Sequence, residues 1–376
     1  MISAVIVGFF AAVTQALLVS PPTGPYDVSM STLGLTDKTR LDPYAPVNNT
    51  HFRRVMISSF FPVDIANTPC VGRSTVPYMT PLVSKAYDQL GTAIGLPDGT
   101  FSSLEMDFCL PKARSCRRNA PKFPLVLFSP GWGNPRLLYG AMAREVASHG
   151  FVVVTIDHPY DPSFVEFPDG DIYRAVDIDT DNIPALEALT QVRAQDVSFV
   201  LNHLQEHRVP RVDLGRIIMF GHSLGGATAA AVMLNDSRVS GGINLDGMLL
   251  SPVLETGLEK PFALVGRPKH RDEDSTWDTF YAGLRGQRAL LEVAGTAHAS
   301  YTDFPILVSS LNLSLPDAAK SLLASELGTM KFGRIGEVVA GIVSAFADLA
   351  LHGKVDALLT SGNPAFPEVS VVSADL

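Results

Sequence analysis

Arg216-Ile217-Ile218-Met219-Phe220-Gly221-His222-Ser223-Leu224-Gly225-Gly226-Ala227 decides how this chain is read. Ile217 to Phe220 is an apolar run that reads as a buried strand, and the Ala-rich stretch Gly226 to Leu234 reads as a helix. Between them stands a G-x-S-x-G pattern, Gly221 to Gly225. A serine pushed out on so tight a turn crowds its neighbours, so the residues two before and two after it must lack side chains. Such a turn exposes the Ser223 hydroxyl as a nucleophile. It also leaves the Leu224 N–H at a helix start, where it can face a developing oxyanion. The alternative is a glycine-rich turn carrying an incidental serine; the strand before and the helix after favour the nucleophile.

Outward from this turn the rhythm is strand, loop, helix. Upstream, Leu125–Phe128 reads as a strand, followed by the loop Ser129-Pro130-Gly131-Trp132-Gly133. A helix from Arg136 to His149, a strand from Phe151 to Ile156, a long loop from Tyr160 to Asp181 and a helix from Ile183 to Glu206 complete that side. Downstream, Gly242–Leu245 ends at Asp246, Phe262–Val265 ends at Gly266, and Arg288–Val293 ends before Gly295-Thr296-Ala297-His298. This alternation predicts an α/β fold with a mostly parallel central sheet and helices on both faces. In such sheets chemistry collects where strands end. Ser223, Asp246, His298 and the Gly131-Trp132-Gly133 loop all follow strand C-termini.

A serine hydroxyl needs a base to take its proton, and the base needs an orienting acid. The chain order Ser223, Asp246, His298 is the order of the α/β-hydrolase fold. His298 is the histidine after the acid that lies in a strand-end loop; His270 reads as part of a charged loop, and His352 falls late in a C-terminal helix. Asp303, with Asp272 and Asp274 behind it, is the rival acid. His222 reads as packing behind the turn, His149 as a helix C-terminus, and His158 as packing near the pocket. The second oxyanion donor is expected from Trp132 N–H, with the indole walling the acyl pocket.

Composition bounds the rest. The 376 residues are 46% apolar and 18% charged, with net charge −9 and no long basic run. That argues against nucleic acid and against electrostatic docking on anionic membranes, and leaves apolar or zwitterionic partners open; with the catalytic residues it leaves a small-molecule or lipid ester as the expected substrate, with at most transient contact with a lipid surface. Met1 to Val19 is uncharged in its side chains and mostly apolar, and Ser20-Pro21-Pro22 stops it. It reads as a secretory signal peptide, residues 1–20, cleaved between Ala16 and Ser20; a retained anchor is the rival. No later segment reads as long and apolar enough for a transmembrane helix. Of Cys70, Cys109 and Cys116, two are expected to pair, the choice being open. Asn48, Asn235 and Asn312 begin N-x-S/T sequons. No metal or cofactor is implied.

Residues 21–122 are expected to form an arm and first strands packed on a core of residues 123–376, with 21–376 one domain. Residues 21–50 read as irregular and Arg53 to Val63 as a strand. Pro81 to Ile94 reads as a helix with Leu82, Ala86, Leu90 and Ile94 along one side. Cys109 to Pro121 reads as a solvated basic loop.

The chain resembles the plasma-type (group VII) platelet-activating-factor acetylhydrolase family, its secreted fungal members above all. The matching pieces are Leu127 to Gly133, Leu138-Tyr139, Ala147 to Phe151, Gly221 to Gly226, Asn244 to Gly247, and His298 with Asp303-Phe304. Ser223 precedes Asp246 by 23 positions and His298 by 75, as in that family. Pro130 stands where animal members carry a histidine. The resemblance implies a calcium-independent serine esterase for phospholipids with a short or oxidised sn-2 acyl group, and it places the acid at Asp246. A cutinase- or polyester-hydrolase-like enzyme, or an esterase trimming a secondary metabolite, is the alternative on the same scaffold. A binder on a dead scaffold is opposed by the complete triad.

Overall fold

A computed structural model describes residues 16–64, 69–93, 96–112, 121–311 and 317–376. A nine-stranded sheet dominates it. Numbered in chain order, its strands are β1 (Asp27–Leu41), β2 (Phe52–Val63), β3 (Phe123–Ser129), β4 (Val152–Asp157), β5 (Val212–His222), β6 (Gly241–Leu245), β7 (Phe262–Gly266), β8 (Arg288–Val293) and β9 (Val369–Asp375). The spatial order is β9-β8-β7-β6-β5-β3-β4-β2-β1. Pairings from β8 through β4 are parallel, and those at both ends are antiparallel.

Alternate residues of each strand face opposite cores. Val126, Phe128, Ile218 and Phe220 join one, with helices α1 (Gly140–Ser148) and α4 (Arg334–His352) above them. Leu125, Leu127, Ile217 and Met219 join the other, under α2 (Ile183–Glu206) and α3 (Leu224–Asn235). Both faces are thus covered, as a mostly parallel sheet requires, because its strands are apolar on both sides.

Several expectations are corrected. Residues 27–41 are not irregular: they form the fifteen-residue edge strand β1, paired along β2. Backbone pairing holds an edge strand without an apolar side-chain pattern, so composition did not announce it. Cys109 is not in a solvated loop. It is buried in strand Leu104–Pro111, antiparallel to strand Cys70–Pro77, and bonded to Cys70. Cys116, Arg114, Arg117 and Arg118 lie outside the described residues. The loop after Tyr160 contains a small hairpin, Phe164–Glu166 with Ile172–Arg174. Helix Pro81–Ala93 buries Val83, Tyr87 and Asp88, while Leu90 is exposed. Tyr87 turns inward to pack on Phe101, and Asp88 accepts from Phe101 N at 2.6 Å.

Contrary to expectation, α4 is long and apolar enough to cross a membrane by length and composition, with mean hydropathy 1.5. Its apolar side, including Val338, Val339, Ile342 and Phe346, is buried in the core instead. Residues 1–15 of the expected leader and the Asn312 sequon lie outside the described residues. Leu17–Leu18 already pairs with Leu104–Glu105, and Val19 is buried.

A buried charge network ties β2 to α2. The Arg53 guanidinium donates to Asp196 Oδ2 at 2.7 Å, to Asp42 Oδ2 at 3.0 Å and to Pro159 O at 2.9 Å. His158 belongs to this network, with Nδ1 3.0 Å from Asp196 Oδ2 and Nε2 3.0 Å from Ser129 Oγ. It packs as expected. Losing one member of such a buried set typically costs roughly 3–5 kcal/mol.

Candidate active site

The turn at Ser223 is built by close backbone approaches. Ser223 has φ 54° and ψ −125°, a conformation that costs roughly 1–3 kcal/mol for a residue with a side chain. Two bonds hold it: Ser223 N donates to Leu245 O and Gly226 N donates to Ser223 O, both at 2.8 Å. A Cβ on Gly221 would lie 2.1 Å from Gly225 O, and one on Gly225 would lie 1.9 Å from Ser129 O. Both glycines are therefore obligatory for the turn. Leu224 is the first residue of α3, so its N–H is among those a helix leaves without an internal partner.

Asp246 and His298 meet. His298 Nδ1 is 2.7 Å from Asp246 Oδ2. A carboxylate only accepts, so Nδ1 carries the proton and Nε2 is left with a lone pair. Asp246 also has a positive φ, 55°, and accepts from Arg267 N at 2.8 Å. Its turn is braced by Asn244, whose Oδ1 accepts from Gly247 N at 2.8 Å and whose Nδ2 donates to Gly247 O at 2.7 Å. Burial raises the Asp246 carboxyl, but the two histidines and the Arg267 amide outweigh that and hold it below the usual carboxylate range. The His298 side chain is half exposed, open to an incoming molecule.

Asp303 does not face His298. It is fully buried, accepting from Tyr78 Oη (2.7 Å), Ala141 N (2.6 Å) and Met142 N (2.9 Å). Those amides are in the first turn of α1, where a carboxylate is favoured. Burial nevertheless pushes its carboxyl up to about 7. It serves as a helix cap.

His222 links the two halves of the site. Its Nε2 is 3.0 Å from the His298 carbonyl, which can only accept, so Nε2 is protonated. Burial, with the neighbouring His298, pushes His222 down to about 3, so the ring is neutral and Nδ1 accepts from Tyr139 Oη at 2.9 Å. The His222 and His298 rings lie 4.6 Å apart, which sets His298 beside the residue preceding Ser223.

The Gly131-Trp132-Gly133 loop is clamped on both sides. Gly131 N donates to Tyr139 Oη at 3.1 Å and Gly133 N to Asp161 Oδ1 at 2.8 Å. Arg193, fully buried in α2, donates to Asp161 Oδ2 and to Pro130 O, the latter at 2.7 Å. Among the described residues the Trp132 N–H has no such partner, which leaves it as the loop's available donor. The indole is 40% exposed.

Sequence reasoning missed four of these groups. His270 was read as part of a charged loop. It opens a short helix after β7, is buried against Trp277, and sets Nδ1 2.9 Å from Asp246 Oδ1. Its position past a strand end was the available signal. Arg193 interrupts an apolar face made by Leu186, Leu189 and Val197, which was a signal too. Tyr139 was marked only as part of the matching Leu138-Tyr139 pair, with no role attached, and Asp161 carried no signal.

The family described as platelet-activating factor acetylhydrolase, isoform II, matches residues 100–165 and 181–318, over half of the chain. The chain belongs to this family. Ser223, Asp246, His298, Leu224 and Trp132 all fall within the matched segments. This acetylhydrolase-family chain is 29% identical, over 377 residues, to a probable 1-alkyl-2-acetylglycerophosphocholine esterase of Arthroderma benhamiae, covering 96% of this chain and 95% of that one. Against the platelet-activating factor acetylhydrolase of Cavia porcellus it is 26% identical over 255 residues, 57% of each chain. The solved structure of a ferulic acid esterase from Streptomyces cinnamoneus superposes with TM-score 0.77 and 31% identity, covering 95% of this chain and 100% of that one. The protein is a carboxylic ester hydrolase of the α/β-hydrolase superfamily.

Proposed function

We propose that the acetylhydrolase-family chain is an exported serine esterase that works through an acyl-enzyme and removes a short acyl group from an amphiphilic ester. The observation that carries the mechanism is the 2.7 Å contact between His298 Nδ1 and Asp246, which commits Nδ1 to the acid and leaves Nε2 as the nitrogen available to take a proton. Ser223 Oγ attacks the ester carbonyl and His298 Nε2 takes its proton. The N–H groups of Leu224 and Trp132 hold the oxyanion. The C–O bond to the alcohol breaks as His298 returns the proton to that oxygen, leaving Ser223 acylated. Water, deprotonated by His298, then attacks the acyl carbonyl and frees the acid. The uncharged leader and the Cys70–Cys109 bond support export, since such bonds persist in oxidising compartments.

The name of the fungal relative supports this substrate class, and a Trp132 indole lying over the acyl group would favour a short one. The same exposed indole favours a second reading, hydrolysis of an aromatic acyl ester, because a flat ring stacks on it; the ferulic acid esterase relative points that way. One panel separates them: p-nitrophenyl acetate, butyrate and dodecanoate, methyl ferulate, and a phospholipid with an sn-2 acetyl group. The first reading expects the acetyl esters, phospholipid included, to show the highest kcat/KM. Preference for methyl ferulate transfers the assignment to the second reading, and preference for dodecanoate to a cutinase-like enzyme.

A further inference from the structure

We propose that a cavity beside β1 and β2, at that edge of the sheet, is a second ligand site, taking a flexible alkyl chain with an anionic end. The cavity has a volume of about 870 Å³, within the range of small-molecule sites. Met30, Met56, Met79, Met106, Phe60 and Phe167 form its walls. Methionine is unbranched and polarisable, and adapts to a partner with many rotamers. Four of them around one space suit a linear chain better than a rigid ring system.

The polar groups of the cavity define the end of the ligand. Arg136 is spent: it is paired with Asp157, and its Nε donates to Ser58 Oγ at 2.9 Å. Glu166 is spent on the start of helix Pro81–Ala93, accepting from Leu82 N at 3.1 Å and Val83 N at 3.4 Å. Thr80 Oγ1 is buried and has no hydrogen-bond partner among the described residues. Lys85 lines the same space, is exposed, and pairs with no carboxylate among the described residues. The Glu166 carboxylate is turned to the amides at the helix start, so among the described residues the groups at the rim without a partner are the Lys85 ammonium and the Thr80 hydroxyl. A carboxylate answers both.

This site is separate from the catalytic one. None of Ser223, Trp132, Asp246 and His298 lines it. Ser223 follows β5, and the cavity lies on β2, three strand positions away; at about 4.8 Å per step that is about 14 Å. Met30, Met56, Phe60, Met79, Thr80, Lys85 and Phe167 lie outside the segments matched by the family, while Met106 and Arg136 lie within them. A free fatty acid supplies such a chain.

Calorimetry with sodium dodecanoate tests the site on enzyme whose Ser223 is capped by a small fluorophosphonate. Saturable one-to-one binding is expected. Val76→Trp, which enters the cavity from the partly exposed strand Cys70–Pro77, should weaken binding more than tenfold. Lys85→Glu should weaken dodecanoate by roughly five- to tenfold, the size of a lost surface ion pair with added repulsion, and leave dodecanol binding unchanged. Both variants should hydrolyse p-nitrophenyl acetate at the parent rate, which shows that they fold. The KM for dodecyl acetate should be unchanged in Val76→Trp; a higher KM, with p-nitrophenyl acetate unchanged, would make the cavity part of the substrate site and overturn the proposal. Absence of binding to the capped enzyme, or binding that neither variant weakens, overturns the proposal. If the phosphonate fails to label Ser223 and no ester is turned over, the esterase mechanism fails instead, and the cavity is read on unlabelled protein.

Discussion

His270 Nδ1 stands 2.9 Å from Asp246 Oδ1, the carboxylate oxygen that His298 leaves free. That distance is within hydrogen-bonding range, and hydrogen bonding and charge act together on the ring. Asp274 lies 3.4 Å from the other nitrogen. Burial works against the charged ring, but the two carboxylates outweigh it and raise His270 to about 9. The acid is thus flanked by two imidazoles and by Arg267.

A pH-dependent stability follows from that contact. His270 keeps its proton in the folded protein up to about pH 9, and an unfolded histidine loses it near about 6.5. The stabilisation is therefore complete below about pH 6.5 and is lost as pH rises through about 9. His270→Asn should lower Tm most at pH 6, with the gap to the parent narrowing toward pH 9.5. Thermal denaturation across that range checks it; a gap that stays constant would mean that His270 titrates alike in the folded and unfolded states, so the contact with Asp246 does not hold its proton.

Ser223→Ala should reduce turnover by roughly 10⁶-fold while leaving Tm near the parent value, because only a hydroxyl is lost. Asp246→Asn should cost about 10⁴-fold by favouring the wrong His298 tautomer. Asp303→Asn should behave differently. It disturbs three buried hydrogen bonds at the start of α1, so roughly 1–3 kcal/mol of stability should go with kcat nearly intact. Assay and denaturant titration of the same three preparations distinguish the roles, and a kcat collapse in Asp303→Asn would move the acid there.

Arg193 and Asp161 position the loop that carries the Trp132 N–H. Releasing the loop should resemble loss of an oxyanion donor, about 10²- to 10³-fold in kcat with KM little changed. Arg193→Met is the variant to assay, with its affinity for a boronic-acid analogue of the tetrahedral state measured alongside. That affinity should fall in step with kcat/KM. If the variant merely unfolds more readily while analogue affinity is kept, Arg193 is structural only.

Trp132→Ala keeps the backbone donor and removes the indole. The parent should lose kcat/KM from acetyl or butyryl to longer acyl chains, because overpacking costs about 1–3 kcal/mol. The variant should flatten or invert that trend, each accommodated methylene contributing roughly 0.8 kcal/mol. A parent enzyme preferring dodecanoyl esters would refute the short-acyl assignment.

The elbow was legible because its constraints are local. Gly221 and Gly225 are read from sequence, and the structure shows backbone oxygens within 2.1 Å of where their Cβ atoms would stand. The order of strands and helices from Phe123 onward was legible because each element carries its own apolar period. The strand-end rule then brought Ser223, Asp246, His298 and Trp132 into view without any distance being known.

Other features depended on partners far along the chain. Whether Asp246 or Asp303 meets His298 is decided by which carboxylate the start of α1 absorbs. β1 exists because β2 offers it a backbone ladder, a demand that falls on no side chain. His270 reads as a surface histidine until the turn after β7 folds it against Trp277 and Asp246. α4 passes as a membrane span until α1 and the sheet cover its apolar side. Sequence by itself determined the turns and the periods, since those follow from sterics and burial within a few residues. Tertiary structure alone decided where each charge went, because a buried charge is stable only beside partners that the fold brings from elsewhere in the chain.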